Sequence, residues 1–227
     1  ESRQSQLSLV EVFHTRNLGD LPARYQDRWV SSVDGVHAPA QTRVLALMGV
    51  AGDSAEWTID SPPFGLHCVP IQAEFSSQET AWYMQSWEDL GLSSPVNNCE
   101  NRLTVANSHN QLFGILVHEI PRSCDLAESR ADFLRRHGVK QVICLGGLLP
   151  SGGSYCVFLY STVTVDSRIR SLLQVLSGNI CLACSTGDEQ YWSAQAKSGE
   201  GKPYSRDVGF AFAEEIYRRL LRLNESL

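Results

Sequence analysis

A chain of 227 residues, 43% hydrophobic and with a formal net charge of −6, can bury one large core as a single domain or a domain with extensions. Its basic residues form only isolated pairs such as Arg135-Arg136 and Arg218-Arg219, which argues against nucleic acid as a partner. No apolar run approaches the roughly 20 residues that cross a bilayer, and no signal-peptide pattern is visible, so no membrane partner is expected.

The first strand is expected over Leu7–Phe13, followed by a short helix in Leu18–Trp29 and a loop from Gly35 to Gln41. Thr42–Val50 is a second strand, rich in Val and Leu, and Ala51-Gly52-Asp53-Ser54 is a turn. A segment from Trp57 is interrupted by Pro62-Pro63 and Gly65, then Leu66–Ile71 forms a third strand. The next helix runs from Ser76 or Ser77 to Leu90, with Ser77 and Thr80 as its start signal, Trp82, Met84, Trp87 and Leu90 as its apolar residues, and Gly91 as its stop.

Ser93–Gln111 is polar and Asn-rich and reads as a loop, and Leu112–Ile120 as a strand that Pro121 stops. Asp125 with Glu128 resembles a capping box for a helix carrying Leu126, Phe133 and Leu134 and ending at His137-Gly138. Two apolar runs, Val142–Leu149 and Tyr155–Val165, flank Pro150-Ser151-Gly152-Gly153-Ser154 and predict an antiparallel hairpin. Asp166 is then a helix N-cap, and Ile169, Leu172, Leu173, Leu176, Ile180, Ala183 and Cys184 recur at helical spacing. Residues 185–207 read as a linker. Residues 208–227 hold a last helix, with Phe212, Ile216, Leu220 and Leu223 on one side, suited to signalling or dimer formation.

The sum is an α+β fold: a central, roughly six-stranded, mainly antiparallel sheet flanked by helices, with the main domain over residues 1–184. The hairpin has a further property. One face of its second strand carries Tyr155, Val157, Leu159 and Val163, and the other Cys156, Phe158 and Tyr160, so neither face is polar. An antiparallel sheet usually shows one face to water. Here both need cover, by the C-terminal helices on one side and by Trp57–Ile71 and Ser93–Gln111 on the other, enclosing a cavity.

The stretch HGVKQVICLGGLLPSGGSYCVFLYSTVTVDSRIRSLLQVL, with its strand, Gly-containing turn, return strand and final helix, resembles the end of a GAF domain. Cys144-Leu145-Gly146-Gly147 and Tyr155–Ser161 resemble the matching run of a bacterial subgroup found upstream of PAS and histidine kinase modules. Leu45–Trp57, Gly65–Ile71 and the opening LVEVFHTRNLGDLP resemble other parts of that subgroup. The resemblance spans residues 7–184; Cys144 in place of an aromatic and the long 93–111 loop depart from it. It implies a sensory or regulatory input domain of a bacterial signalling protein, sensing a small molecule or redox state. Its partners would be an effector domain, a histidine kinase or similar, and a second copy in a homodimer. The alternatives are a cysteine-dependent enzyme on the same fold and a dimerisation module with no ligand.

The seven cysteines, Cys68, Cys99, Cys124, Cys144, Cys156, Cys181 and Cys184, are odd in number and scattered, unlike a secreted disulfide framework, which points to the cytoplasm. Cys181 and Cys184 form a CxxC pair, but near a helix C-terminus, where the dipole disfavours thiolates, so structural roles without disulfide or metal are expected. The chain opens on Glu1 rather than Met, as an excised or processed piece would. His67, His118 and Tyr155 are the candidate polar groups of a ligand pocket, from their strand positions. Gly146-Gly147 and Ser151–Ser154 do not join a strand to a helix N-terminus, so phosphate binding is not expected, and close backbone approach is the reading. No Ser-centred elbow, HExxH or paired-carboxylate motif points to catalysis, and no cofactor is named by any motif.

Overall fold

A computed structural model describes residues 6–21, 25–26, 39–71, 77–92, 113–119, 128–149, 153–166, 168–169, 171–173 and 177–185. Among them, six strands form one antiparallel sheet: β1 (Leu7–Asn17), β2 (Arg43–Gly52), β3 (Cys68–Pro70), β4 (Phe113–Glu119), β5 (Gln141–Leu148) and β6 (Ser154–Ser161). Their order across the sheet is β3-β2-β1-β6-β5-β4. Helices α1 (Gln78–Asp89) and α2 (Glu128–Arg136) lie in sequence between β3 and β4 and between β4 and β5. The α+β class with flanking helices is therefore as the sequence indicates.

The predicted hairpin is β5–β6, paired from Gln141↔Ser161 to Leu148↔Ser154. The Leu149 N–H donates to the Gly153 carbonyl across its turn at 2.8 Å. Cys156, Phe158 and Tyr160 join one core cluster with Leu9, Phe13, Leu45 and Leu47. Val157, Leu159 and Tyr155 join a second cluster with Val10, Val12, Ile143 and Leu145. Both faces of the sheet are thus buried.

The two covers differ in origin. On the first face sit Tyr83, Met84 and Trp87 of α1, Phe133 and Leu134 of α2, and Trp57, Ile59, Phe64 and Leu66 of the β2–β3 connection. On the second face Leu173, Ile180 and Cys184 of the C-terminal helical residues pack with Val165, Ile169 and Cys181. The helix start at Asp166 is as read, because the Ile169 N–H donates to Asp166 Oδ1 at 2.8 Å. Leu173 is the buried leucine there, Leu172 is half-buried, and Leu176 lies outside the described residues. Also outside them are the 93–111 loop, residues 22–24 and 27–29 of the 18–29 segment, and everything past Ser185.

Element ends shift for local reasons. β1 continues four residues past Phe13, because His14, Thr15 and Arg16 remain paired with β2. The Ser154 N–H also donates to Thr15 Oγ1 at 2.7 Å. β6 stops at Ser161 instead of Val165, since the Ser161 hydroxyl donates to the Val163 carbonyl at 2.8 Å and turns the chain. β3 is only Cys68–Pro70, although Leu47 N–H to His67 O (2.8 Å) extends the pairing. The start of the 18–29 segment is a 3-10 turn over Leu18–Asp20.

A bulge at Met48 of β2, opposite Val12 and Phe13 of β1, changes the parity of β2. Leu45 and Leu47 face the first cluster on one side of it, and Val50 returns to that same cluster on the other. The shift also sets Gly52 opposite Leu9. A Cβ at Gly52 would lie 2.6 Å from the Trp57 ring, so glycine lets that indole lie against the strand.

Helix punctuation follows the sequence. The Ser77 N–H donates to Thr80 Oγ1 at 2.8 Å at the start of α1. Gly91 (φ 72°) and Gly138 (φ 60°) follow α1 and α2 in the left-handed region.

Candidate functional site

The first core face holds the most polar group of buried residues, built from four elements. Glu11 lies in the middle of β1 and projects to the same face as Leu9 and Phe13. Tyr160 comes from β6, Tyr83 from α1 and Arg130 from the first turn of α2. Glu11, Tyr83 and Tyr160 are fully buried and Arg130 is 1% exposed.

One carboxylate oxygen organises the group. The Tyr83 hydroxyl donates to Glu11 Oε2 at 2.8 Å, and the Tyr160 hydroxyl donates to the same oxygen at 2.8 Å. Arg130 Nη1 donates to the Tyr160 oxygen at 3.2 Å. The chain Arg130–Tyr160–Glu11 therefore links a cation to an anion through a phenol, and α1 and α2 are both tied to the central strand through it.

Aromatic rings enclose the cation. The guanidinium carbon stands 4.2 Å from the Tyr83 ring centroid, 4.4 Å from Phe64 and 4.9 Å from Trp82. Each face offers the negative side of a ring quadrupole in a dry setting. Phe133 extends the enclosure, 4.8 Å from Phe64 and 5.9 Å from Tyr160 between centroids.

The electrostatics are balanced between burial and pairing. Burial raises the Glu11 carboxyl above its usual range, and Arg130, Tyr160 and Tyr83 oppose that rise. Burial pushes the Tyr160 and Tyr83 phenols upward, so both stay protonated as donors. For Arg130, burial favours loss of charge, but Tyr83, Tyr160 and Glu11 outweigh it and the guanidinium is held more firmly charged.

Two polar atoms of this group have no hydrogen-bond partner among the described residues: Glu11 Oε1 and Arg130 Nη2. Leaving such atoms unpaired in a low-dielectric interior costs about 1–3 kcal/mol each, more for charged groups. One is an acceptor and the other a donor. The cluster therefore keeps hydrogen-bonding capacity at one carboxyl oxygen and one guanidinium nitrogen.

The residues singled out from the sequence are not brought together. His118, on β4, faces the first cluster at its edge: Nε2 lies 3.2 Å from Ser86 Oγ and its ring 5.7 Å from Trp82. Burial lowers its pKa, with Asp89 opposing. His67 lies just before β3, where Nδ1–H donates to the Gly65 carbonyl at 3.1 Å and the ring sits 5.6 Å from Tyr25. Tyr155 belongs to the opposite face with Val157 and Leu159. Burial, with the Cys181 and Cys184 thiols beside it, pushes its phenol upward. The three therefore line no common pocket, because strand parity sends Tyr155 to the far face and His67 lies at the β3 edge.

The glycines and cysteines read largely as packing. A Cβ on Gly146 would meet Leu92 Cδ1 at 2.7 Å and Leu90 Cδ1 at 2.8 Å, so the close approach there is to leucines. Burial pushes the Cys68 thiol up to about 12 and raises Cys144 and Cys156 too. Cys181 is half-buried and its thiol donates to the Leu148 carbonyl at 3.8 Å. Among the described residues, no group of three or more His, Cys, Asp or Glu side chains could hold a metal ion.

The four residues of the cluster were not singled out from the sequence, although two left a trace. Glu11 is the one charge inside the apolar run LSLVEVF. Arg130 lies on the apolar stripe of α2, three residues before Phe133 and four before Leu134. A charge at a core position is a sign of a partner. Comparison with protein-family profiles, with curated proteins and with solved structures finds no match for this chain.

Proposed function

We propose that this chain is a GAF-like sensory input domain of a bacterial signal-transduction protein, and that it takes a small molecule at the Glu11–Tyr83–Arg130–Tyr160 cluster. One observation carries the reading: Glu11 Oε1 and Arg130 Nη2 are buried in an aromatic enclosure with no partner among the described residues. Apolar walls with a few convergent polar groups are the composition of small-molecule sites. The closing hairpin and helix, and a sheet covered on both faces, agree with the domain type. Because α1, α2, β1 and β6 all supply a member, occupancy would reset two helices against the sheet. That motion is what an effector, a histidine kinase or similar, would read in a cytoplasmic homodimer.

Buried Cys68, Cys144 and Cys156 are held as thiols, which disfavours these three as the nucleophile of a cysteine-dependent enzyme. The test is native mass spectrometry of protein purified without denaturation. A retained small molecule, lost from Arg130→Met, supports the reading. A bare mass, together with no gain in melting temperature from a library of cell metabolites, refutes it.

A further inference from the structure

We propose that Cys181 and Cys184 are a thiol pair that small-molecule disulfides oxidise to an internal disulfide, with Cys181 attacking, Cys184 resolving and the Tyr155 hydroxyl as donor to their sulfurs. The inference goes beyond the reading of the Glu11 cluster and stands without it. Three observations carry it. The first is placement. Both cysteines lie in the helical stretch 177–185, three residues apart, which sets their Cβ atoms about 5–6 Å apart on one side of the helix. Both pack with the second core cluster, and both are thiols in the structure. The second is a contrast in burial. Cys181 is half-buried and open to a reagent in solvent, whereas Cys184 is fully buried. The third is Tyr155. It is fully buried on the same face, with the Cys181 and Cys184 thiols beside it, and its hydroxyl has no hydrogen-bond partner among the described residues. A phenol there supplies the donor that a helix C-terminus does not give to a forming thiolate.

The chemistry proceeds in two exchanges. The Cys181 thiolate attacks one sulfur of a disulfide R–S–S–R. A bond forms between Cys181 and that sulfur, the R–S–S–R bond breaks, and one thiolate leaves to take up the proton that Cys181 gave. The Cys184 thiolate then attacks the Cys181 sulfur, and the second thiolate leaves with the proton of Cys184. The two cysteines are oxidised, and the small disulfide is reduced to two thiols. A disulfide sets its Cβ atoms about 3.5–4.5 Å apart, so closure draws the two positions together by about 1–2 Å. A tighter helical turn does this, because it eclipses side chains three residues apart. The movement acts on the contact between Cys181 Sγ and the Leu148 carbonyl, 3.8 Å apart at the end of β5, and so reaches the β5–β6 hairpin.

The experiment incubates the full, reduced chain with oxidised glutathione near neutral pH, alkylates the remaining thiols in denaturant and maps tryptic peptides by mass spectrometry. One peptide, 171–197, carries both cysteines and no other. It should appear unalkylated and two hydrogens lighter than its reduced form, while Cys68, Cys144 and Cys156 stay reduced. In the folded protein, Cys181 should be alkylated about tenfold or more faster than those three buried thiols. Cys184→Ser should stop at a mixed disulfide of glutathione on Cys181, and Cys181→Ser should lower oxidation of the peptide about tenfold or more. Tyr155→Phe, shown to be folded by circular dichroism, should slow closure about fivefold, the worth of one hydrogen bond. Closure of that variant at the wild-type rate overturns the role given to Tyr155. A peptide 171–197 that stays reduced in the wild-type protein overturns the proposal, as does pairing of Cys181 or Cys184 with any other cysteine.

Discussion

Removal of the Arg130 guanidinium is the sharpest perturbation of this core. Arg130→Met keeps an unbranched side chain of similar length, so contact with Phe64, Trp82 and Tyr83 is largely retained and little cavity is left. What is lost is the cation that donates to Tyr160, and with it the charge that opposes the desolvation of Glu11. Breaking a buried pair by deleting one partner costs about 3–5 kcal/mol, and three ring contacts place this site toward the upper end.

The loss should depend on pH with a definite sign. The folded Glu11 carboxyl already lies above 4.5, and without Arg130 it rises further. A raised carboxyl pKa means that stability is fully present below 4.5 and is lost as pH rises through the folded value. The Arg130→Met deficit should therefore be largest near neutral pH and shrink toward pH 4.5. Adding Glu11→Gln removes the stranded charge and should restore about 2 kcal/mol or more at neutral pH, a coupling expected of groups in one network. Urea unfolding followed by circular dichroism, for wild type, both single variants and the double variant at several pH values, measures all of this. Additive losses within about 0.5 kcal/mol, with no pH dependence of the Arg130→Met deficit, would refute the description of the cluster as a buried, charge-coupled unit.

Leu173→Ala should cost about 2–5 kcal/mol, because Leu173 is 5% exposed against Val157 and Leu159; a loss under about 1 kcal/mol in the same unfolding assay would contradict its place in the core. Gly146→Ala should lower stability by about 1–3 kcal/mol, since the added methyl meets both Leu90 and Leu92 under 3 Å and the Tyr155 carbonyl at 3.1 Å; an unchanged melting temperature would show that the leucines yield freely. His118 should titrate below 6.5 by NMR, so its contribution to stability is present above 6.5 and lost as pH falls through the lower folded value; a midpoint above 6.5 would mean that Asp89 outweighs burial.

Much of the architecture was legible in the sequence because it depends on local rules. The β5–β6 hairpin shows in two β-branched and aromatic runs around a Pro-Ser-Gly-Gly turn, and its two apolar faces follow from a side-chain period of two. The need to cover both faces of the sheet follows in turn. Helix boundaries at Ser77, Gly91, Gly138 and Asp166 are written in capping chemistry that acts over three or four residues. What the residues could not disclose depends on pairing across long separations. Glu11 meets Tyr83 and Tyr160, 72 and 149 positions away, only once β1 is inserted between β2 and β6. The bulge that keeps Val50 with Leu45 and Leu47 is likewise a matter of register between strands. His118 and Tyr155 each read as buried polar groups of one pocket, yet the parity of their strands sends them to opposite faces. Sequence determined that both faces of the sheet would be buried. Tertiary structure alone decided which buried charge met which partner, because a hydrogen bond needs atoms within about 3 Å and nothing local holds these atoms together.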